Sequence, residues 1–138
     1  MTQEEKELLL KDLCSRLPYK VKIECINSDN ETVIEELFSI GIEEDTFDCN
    51  MIEYISVKPY LFPLSSMTEE QKEELRLEHE KDLKTMAICM KKCSEGDTSL
   101  RGKNILYHSV DWCNENHFDY RGLIEKGLAI DCINLNIY

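Results

Sequence analysis

Residues 58–67 read KPYLFPLSSM, a short segment in which two prolines frame a run of large apolar residues. Pro59 and Pro63 restrict the backbone and donate no hydrogen bonds, and the apolar side chains between them must be buried. We therefore predict a rigid connection that runs extended across the core. It should end by presenting Ser66 or Thr68 as the N-cap of a helix.

The segment that follows predicts a long helix over residues 68–93. Its glutamates cluster near the beginning and Lys91 and Lys92 lie near the end, which complements the helix dipole. Apolar residues and one histidine recur every three or four positions, so we predict that one narrow stripe faces the core. The stripe consists of Leu75, His79, Leu83, Met86, Met90 and Cys93.

The start of the chain predicts another helix. Residues 2–5, TQEE, have the form of a capping box, and leucines follow at helical spacing as far as Leu17. Because the residue before a proline disfavours helical dihedral angles, Leu17-Pro18 should end the helix. We predict a helix over residues 3–16.

Three strands are predicted between that helix and the connection. Residues 21–25 alternate apolar and charged side chains, which is the pattern of a half-buried strand. Residues 32–40 fit either a helix or a second strand, and the polar turn at residues 28–30 together with the β-branched side chains favours the strand. Residues 51–57, MIEYISV, supply the third strand.

The C-terminal part of the chain predicts two short helices and a final strand. Residues 105–116 form the first helix, and Asp119 caps a second helix that runs through Glu125 and ends at Gly127. Residues 128–138 alternate well enough to form a strand.

Together these elements predict an α+β fold in a single domain, residues 1–138. Because the helices and strands show no βαβ alternation, we expect a small antiparallel sheet. The N-terminal helix and the long central helix should cover this sheet, and the C-terminal helical pair should close one end of it. A chain of 138 residues is long enough to bury a sizeable core.

The net charge of the chain limits the classes of molecule that it can bind. The net charge is −12, and residues 1–50 hold 13 acidic against 5 basic residues. A surface of this sign disfavours direct binding to nucleic acids or anionic membranes, but it can meet a basic protein or serve only solubility. No apolar run approaches the ~20 residues of a membrane span, and the N-terminus is acidic where a signal peptide would be basic. We therefore predict a cytoplasmic location.

The cysteines and histidines give no clear metal signature. Seven cysteines at irregular spacing predict reduced thiols instead of a disulfide framework. Cys89 and Cys93 lie one helical turn apart and could offer thiolates to zinc together with His79 or His108, but no CxxC pair is present. The sequence also lacks the glycine-rich motifs that cradle phosphates. We predict neither a metal nor a cofactor.

Four residues near the C-terminus, His117, Asp119, Tyr120 and Arg121, are of the types used in acid–base catalysis or ligand binding. Each also suits a structural role, because Asp119 is placed to cap a helix and Arg121 to pair with an acid. No nucleophile-elbow or Cys–His signature accompanies them. We favour the structural interpretation. The alternative is a small-ligand site or active site in a pocket beside the four residues.

Two of these segments, residues 58–71 (KPYLFPLSSMTEEQ) and 117–131 (HFDYRGLIEKGLAID), resemble segments of a family of small uncharacterised proteins from gut bacteria, their phages and mobile elements. The opening EEKELLLKDLCSRLPY is similar too, so the resemblance covers about half of the chain. It implies an accessory gene product of a phage, prophage or mobile element, and it carries over no catalytic residue. Such proteins diverge most over residues 20–57.

From charge and resemblance together we expect a non-enzymatic protein that binds a protein partner through residues 20–57. Most of the net negative charge lies in this half of the chain, so a basic host protein would complement it. An acidic inhibitor of a host protein is one form that this function can take.

Overall fold

The computed structural model describes residues 1–43, 46–52, 54–96 and 108–138. They form an α+β fold with a small mixed sheet, so the predicted fold class is confirmed. The chain divides into two compact units. The first consists of Met1–Ser66 and Asn114–Tyr138, and the second of Met67–Cys113.

The first unit begins with helix α1, Gln3–Arg16, as predicted. Thr2 Oγ1 accepts a hydrogen bond from the Glu5 N–H (3.2 Å), and the Glu5 carboxylate accepts one from the Thr2 N–H (2.6 Å), so the capping box is complete. A single 3₁₀ turn over Leu17–Tyr19 follows, and Lys20 adopts a left-handed conformation with φ of 56°. The capping box and Leu17-Pro18 were therefore enough to predict both ends of this helix.

The main sheet is mixed, so the prediction of a purely antiparallel sheet was wrong. Strand β1 (Lys22–Ile26) pairs antiparallel with β2 (Thr32–Glu36) and with β5 (Ser56–Pro63). The two-residue strands β6 (Phe118–Asp119) and β7 (Ile130–Asp131) pair parallel with β5. The preference for a strand at residues 32–40 is confirmed by β2.

Strands β1 and β7 lie on opposite sides of β5. The Tyr138 hydroxyl accepts a hydrogen bond from the Lys22 N–H (3.0 Å) and donates one to the Tyr60 carbonyl (2.8 Å), so Tyr60 directs its carbonyl towards β1. The next carbonyl, that of Leu61, accepts from the Cys132 N–H beside β7 (3.0 Å). This difference follows because consecutive residues of a strand direct their backbone groups to opposite sides.

Strand β5 contains most of the segment that we predicted to be a connection. The predicted extended course and the burial of Tyr60 and Leu61 are confirmed, but the segment is a paired strand of the main sheet and not a connection. The predicted third strand at residues 51–57 was misplaced, since only its last two residues belong to β5. Pro59 is two residues before Leu61, so the backbone groups of both residues face the same side of β5, away from β1. Pro59 is tolerated inside β5 because its missing N–H lies on that side. A proline that faces away from its paired neighbour does not interrupt the ladder.

A second, two-stranded sheet pairs β3 (Ile40–Glu43) with β4 (Thr46–Cys49), and we did not predict it. Asn50 follows this hairpin and ties it to β2. Its side-chain oxygen accepts from the Phe38 N–H (2.9 Å), and its side-chain nitrogen donates to Glu35 Oε2 (2.9 Å) and to the Glu36 carbonyl (3.0 Å).

The core of the first unit draws on α1, the main sheet and the C-terminal segment. Burial raises the pKa of the Cys25 and Cys49 thiols to about 12, so both stay protonated at neutral pH. The buried cluster consists of Leu9, Leu13, Val21, Ile23, Cys25, Leu37, Cys49, Val57, Leu61, Leu123, Leu128 and Ala129.

The predicted C-terminal helical pair was wrong in its second member. Helix α3 spans His108–Glu115, and the start of the predicted helix at residues 105–107 lies outside the described residues. After β6 the chain makes a series of turns instead of a helix, and it then enters β7. The final predicted strand is reduced to the two residues of β7.

The second unit contains the long helix α2, Glu69–Ser94, whose start is confirmed. Thr68 Oγ1 accepts from the Gln71 N–H (3.2 Å), and the Gln71 side chain accepts from the Thr68 N–H (2.9 Å). The predicted core stripe was wrong, because Leu83 is 52% exposed and His79, Met86 and Met90 are also exposed; the Cys93 side chain lies outside what the structure describes. Of the described helices, none is long and apolar enough to cross a membrane.

Candidate functional site

Asp119, one of the four residues singled out by the sequence, acts as a cap. Its Oδ1 accepts from the Leu123 N–H (2.9 Å) and its Oδ2 from the Ile124 N–H (2.8 Å), and the carboxylate is buried. Asp119 therefore accepts backbone N–H groups as predicted, but the short helix that it was predicted to cap is absent, and its carboxylate holds a series of turns instead. Gly122 lies within these turns with φ of 70°, which favours glycine.

We expect Asp119→Ala to lower the free energy of unfolding by about 1–2 kcal/mol, because two amide groups lose their acceptor. Thermal or urea unfolding measures the change. Asp131→Ala is the matched control, since exposed Asp131 accepts from one N–H of the described residues, that of Ile133, and its loss should cost less. Equal losses in the two variants would contradict the capping role.

Arg121 belongs to a buried ion cluster that the sequence did not reveal as a whole. Arg16 is fully buried and donates to Asp12 through Nε (2.7 Å) and Nη2 (3.2 Å), and its Nη2 also donates to the Phe118 carbonyl (2.8 Å). Arg121 Nε lies 3.3 Å from Asp12 Oδ1, the oxygen that also accepts from Arg16 Nη2, and Arg121 Nη2 donates to Ser15 Oγ (3.2 Å). One buried carboxylate thus lies between two guanidinium groups.

Tyr120 and His117 lie beside this cluster. The guanidinium carbons of Arg16 and Arg121 lie 5.4 and 4.7 Å from the centroid of the Tyr120 ring, so two cations face one aromatic ring. His117 stacks on Tyr138 with the ring centroids 4.0 Å apart. Burial, with a smaller contribution from the positive charge of Arg16, lowers the pKa of His117 to about 4. The imidazole is therefore neutral at neutral pH.

Several polar atoms around Arg16 are buried without a hydrogen-bond partner. They belong to the two arginines and to the residues that surround them, and such a concentration is unusual because buried polar groups are nearly always paired. Among the described residues these atoms are Arg16 Nη1, Tyr120 Oη and His117 Nδ1, and Arg121 Nε makes its ion-pair contact with Asp12 but no hydrogen bond. An enclosed water or small polar molecule would satisfy them.

The first unit has an open groove that lies elsewhere, and none of the four predicted site residues lines it. The groove has a volume of about 570 Å³ and lies between the start of α1, the start of β5 and residues 126–128. Its floor includes the buried side chains of Leu9, Val57 and Leu128. Sequence reasoning missed this groove because its walls come from three distant parts of the chain.

A third feature is a set of exposed apolar side chains in the acidic half of the chain. Phe38 is 64% and Met51 81% exposed, and Ile34 and Ile52 are also exposed. Asn50 links the segment around Phe38 to the segment around Met51, because it precedes Met51 and accepts from the Phe38 N–H. We call Ile34, Phe38, Met51 and Ile52 the apolar surface.

Within the part of the chain that the structure describes, no three His, Cys, Asp or Glu side chains are grouped as a metal site requires. The chain matches no protein-family model, and no curated protein or solved structure is significantly similar to it. The resemblance to proteins of gut bacteria and phages therefore stays a prediction.

Proposed function

We propose that this chain is a non-enzymatic protein that binds a basic protein partner through the apolar surface and the acidic residues around it. In the cytoplasm of a host cell, an accessory protein of a phage or mobile element with this surface would act by occupying a basic face of a host protein. An acidic inhibitor of that host protein is one form of the proposed function.

The negative charge of residues 20–57 supports a basic partner. Residues 20–57 hold ten acidic and two basic residues, a net charge of −8, whereas the rest of the chain has a net charge of only −4. A concentrated negative field steers a basic protein towards this face and repels nucleic acid. The partner that we propose is therefore a protein.

Exposure of large apolar residues carries the proposal. Solubility alone would be served by the acidic residues and gives no reason to expose Phe38 and Met51 beside them. Aromatic residues and methionine are enriched at protein interfaces, where they act as anchors within a polar rim. Ile34, which is also exposed, lies on β2, the edge strand of the main sheet.

The test is capture of partners from nuclease-treated host lysate by the immobilised protein, with identification by mass spectrometry. We expect the double variant Phe38→Ser/Met51→Ser to capture the partner roughly tenfold less or weaker still, since two anchors are lost. Leu77→Ser/Met90→Ser removes two exposed apolar residues from α2 and is the matched control. Equal capture by the two double variants at equal thermal stability would contradict the proposal.

A small-ligand site near His117, Asp119, Tyr120 and Arg121 is the second candidate, and the unpaired buried polar atoms around Arg16 favour it. Tyr120→Phe is the variant that tests this second candidate, because it removes only the unpaired hydroxyl. If this candidate holds, Tyr120→Phe abolishes function in a host assay while Phe38→Ser/Met51→Ser has no effect. The protein-binding proposal predicts the reverse.

A further inference from the structure

The groove of about 570 Å³ is a place where two segments of the main sheet separate. Tyr60 and Leu61 of β5 pair with Ile130 and Asp131 of β7 in parallel. The preceding residues 126–128 run beside the start of β5 without pairing with it, because the Gly127 and Leu128 N–H groups donate to the carbonyls of Ile124 (3.0 Å) and Leu123 (2.9 Å). The space between the two segments is the groove.

The backbone of Val57 faces this groove. Val57 is four residues before Leu61 in β5, so the backbone groups of both residues face the same side of the strand. The Leu61 carbonyl accepts a hydrogen bond from the β7 side. The N–H and carbonyl of Val57 are therefore directed away from β1, towards the gap that residues 126–128 leave open. Such a free stretch of strand edge can form hydrogen bonds with an added strand. Pro59 limits the stretch, since it offers a carbonyl but no N–H.

The rim of the groove is basic, in contrast to the chain as a whole. Lys6, Lys58 and Lys126 line it, and within the described residues no carboxylate lies within 4.0 Å of any of their ammonium groups. Glu5 is the acidic residue of the lining, and its carboxylate is already bonded to the Thr2 N–H. Three available cations therefore surround an apolar floor and a free strand edge.

We propose that the groove binds a short acidic segment of a partner protein in an extended conformation. The segment adds to β5 through the backbone groups of Val57, places apolar side chains over Leu9 and Leu128, and directs carboxylates to the three lysines. A peptide is favoured over a small amphipathic anion because the strand edge offers a donor and an acceptor that only a backbone matches together.

This site is independent of the proposed function. The apolar surface lies in an acidic region and suits a basic partner, whereas the groove has the opposite charge and suits an acidic one. Loss of one binding activity therefore need not affect the other, and the two are measured with different variants.

The experiment uses the full chain and a fluorescein-labelled octapeptide of alternating glutamate and valine, with binding followed by fluorescence anisotropy. The charge-reversal variant Lys6→Glu/Lys58→Glu/Lys126→Glu should bind roughly tenfold more weakly or not at all. Lys11→Glu/Lys84→Glu/Lys91→Glu is the control with the same net charge, since these exposed lysines do not line the groove, and it should bind nearly as the unaltered chain does.

Hydrogen exchange of the Val57 amide, read by NMR, tests the strand addition without any mutation. We expect the acidic peptide to slow its exchange, and we expect a lysine–valine octapeptide and dodecanoate to leave it unchanged. The proposal is overturned if the two triple variants bind the acidic peptide equally, or if the peptide binds without protecting Val57. It is also overturned if dodecanoate binds the groove and the acidic peptide does not.

Discussion

Arg16→Met is expected to lower the free energy of unfolding by about 3–5 kcal/mol, which is the usual cost of removing one partner from a buried ion pair. Arg16 and Asp12 are both fully buried, and two of the hydrogen bonds of the Asp12 carboxylate come from Arg16. Without Arg16, the contact with Arg121 at 3.3 Å is the one ion pair that Asp12 keeps among the described residues. Urea unfolding of the variant measures the loss.

Two further variants decide whether the loss comes from an unpaired buried charge. Asp12→Leu/Arg16→Met replaces both fully buried partners with apolar residues and should recover much of the stability. The cation that remains, Arg121, is 18% exposed and keeps its hydrogen bond to Ser15. Lys72→Met removes one partner of the exposed pair with Glu69 and should change stability by less than about 1 kcal/mol. A loss below 1 kcal/mol for Arg16→Met itself would show that the cluster is not structural.

Leu61→Ala is expected to lower the free energy of unfolding by about 2–5 kcal/mol. Leu61 is fully buried on β5, the strand that pairs with β1, β6 and β7, and its side chain belongs to the buried cluster. Because the paired backbone holds the strand in place, the cavity left behind cannot readily collapse. Equilibrium unfolding followed by circular dichroism gives the value.

Leu64→Ala is the matched control for Leu61→Ala. Leu64 is 44% exposed just beyond the end of β5, and its truncation should change stability by about 0.5 kcal/mol or less. Similar losses at the two positions would mean that β5 does not occupy the centre of the core.

Local signals in the sequence were enough for the helices but not for the central strand. The starts of α1 and α2 depend on capping contacts three residues apart, and both were predicted correctly. We missed strand β5 because it contains Pro59 and Pro63. A proline argues against a strand unless its missing N–H is known to face away from a paired neighbour. The side that each proline faces is set by β1 and by residues 114–138, which lie far away in the sequence.

The candidate site was predictable in its types of residue but not in its arrangement. Asp119 as a cap follows from spacing alone, whereas the partner of Arg121 is Asp12, more than one hundred residues earlier. One signal was available, because Asp12 and Arg16 are four residues apart on the same face of α1 as Leu9 and Leu13. A charged pair on an apolar helix face indicates a buried ion pair.

The first unit is discontinuous in sequence, and this has a consequence during protein synthesis. Strand β5 leaves the ribosome with β1 and β2, but β6 and β7 follow only after residues 67–113 have been made. At usual elongation rates this delay lasts roughly 2 to 9 s. For that time one edge of β5 has no strand beside it, and unpaired edges recruit other chains. Pro59 and Pro63 offer no N–H to such chains, so the residues that hid this strand from sequence analysis also protect it while the protein is incomplete.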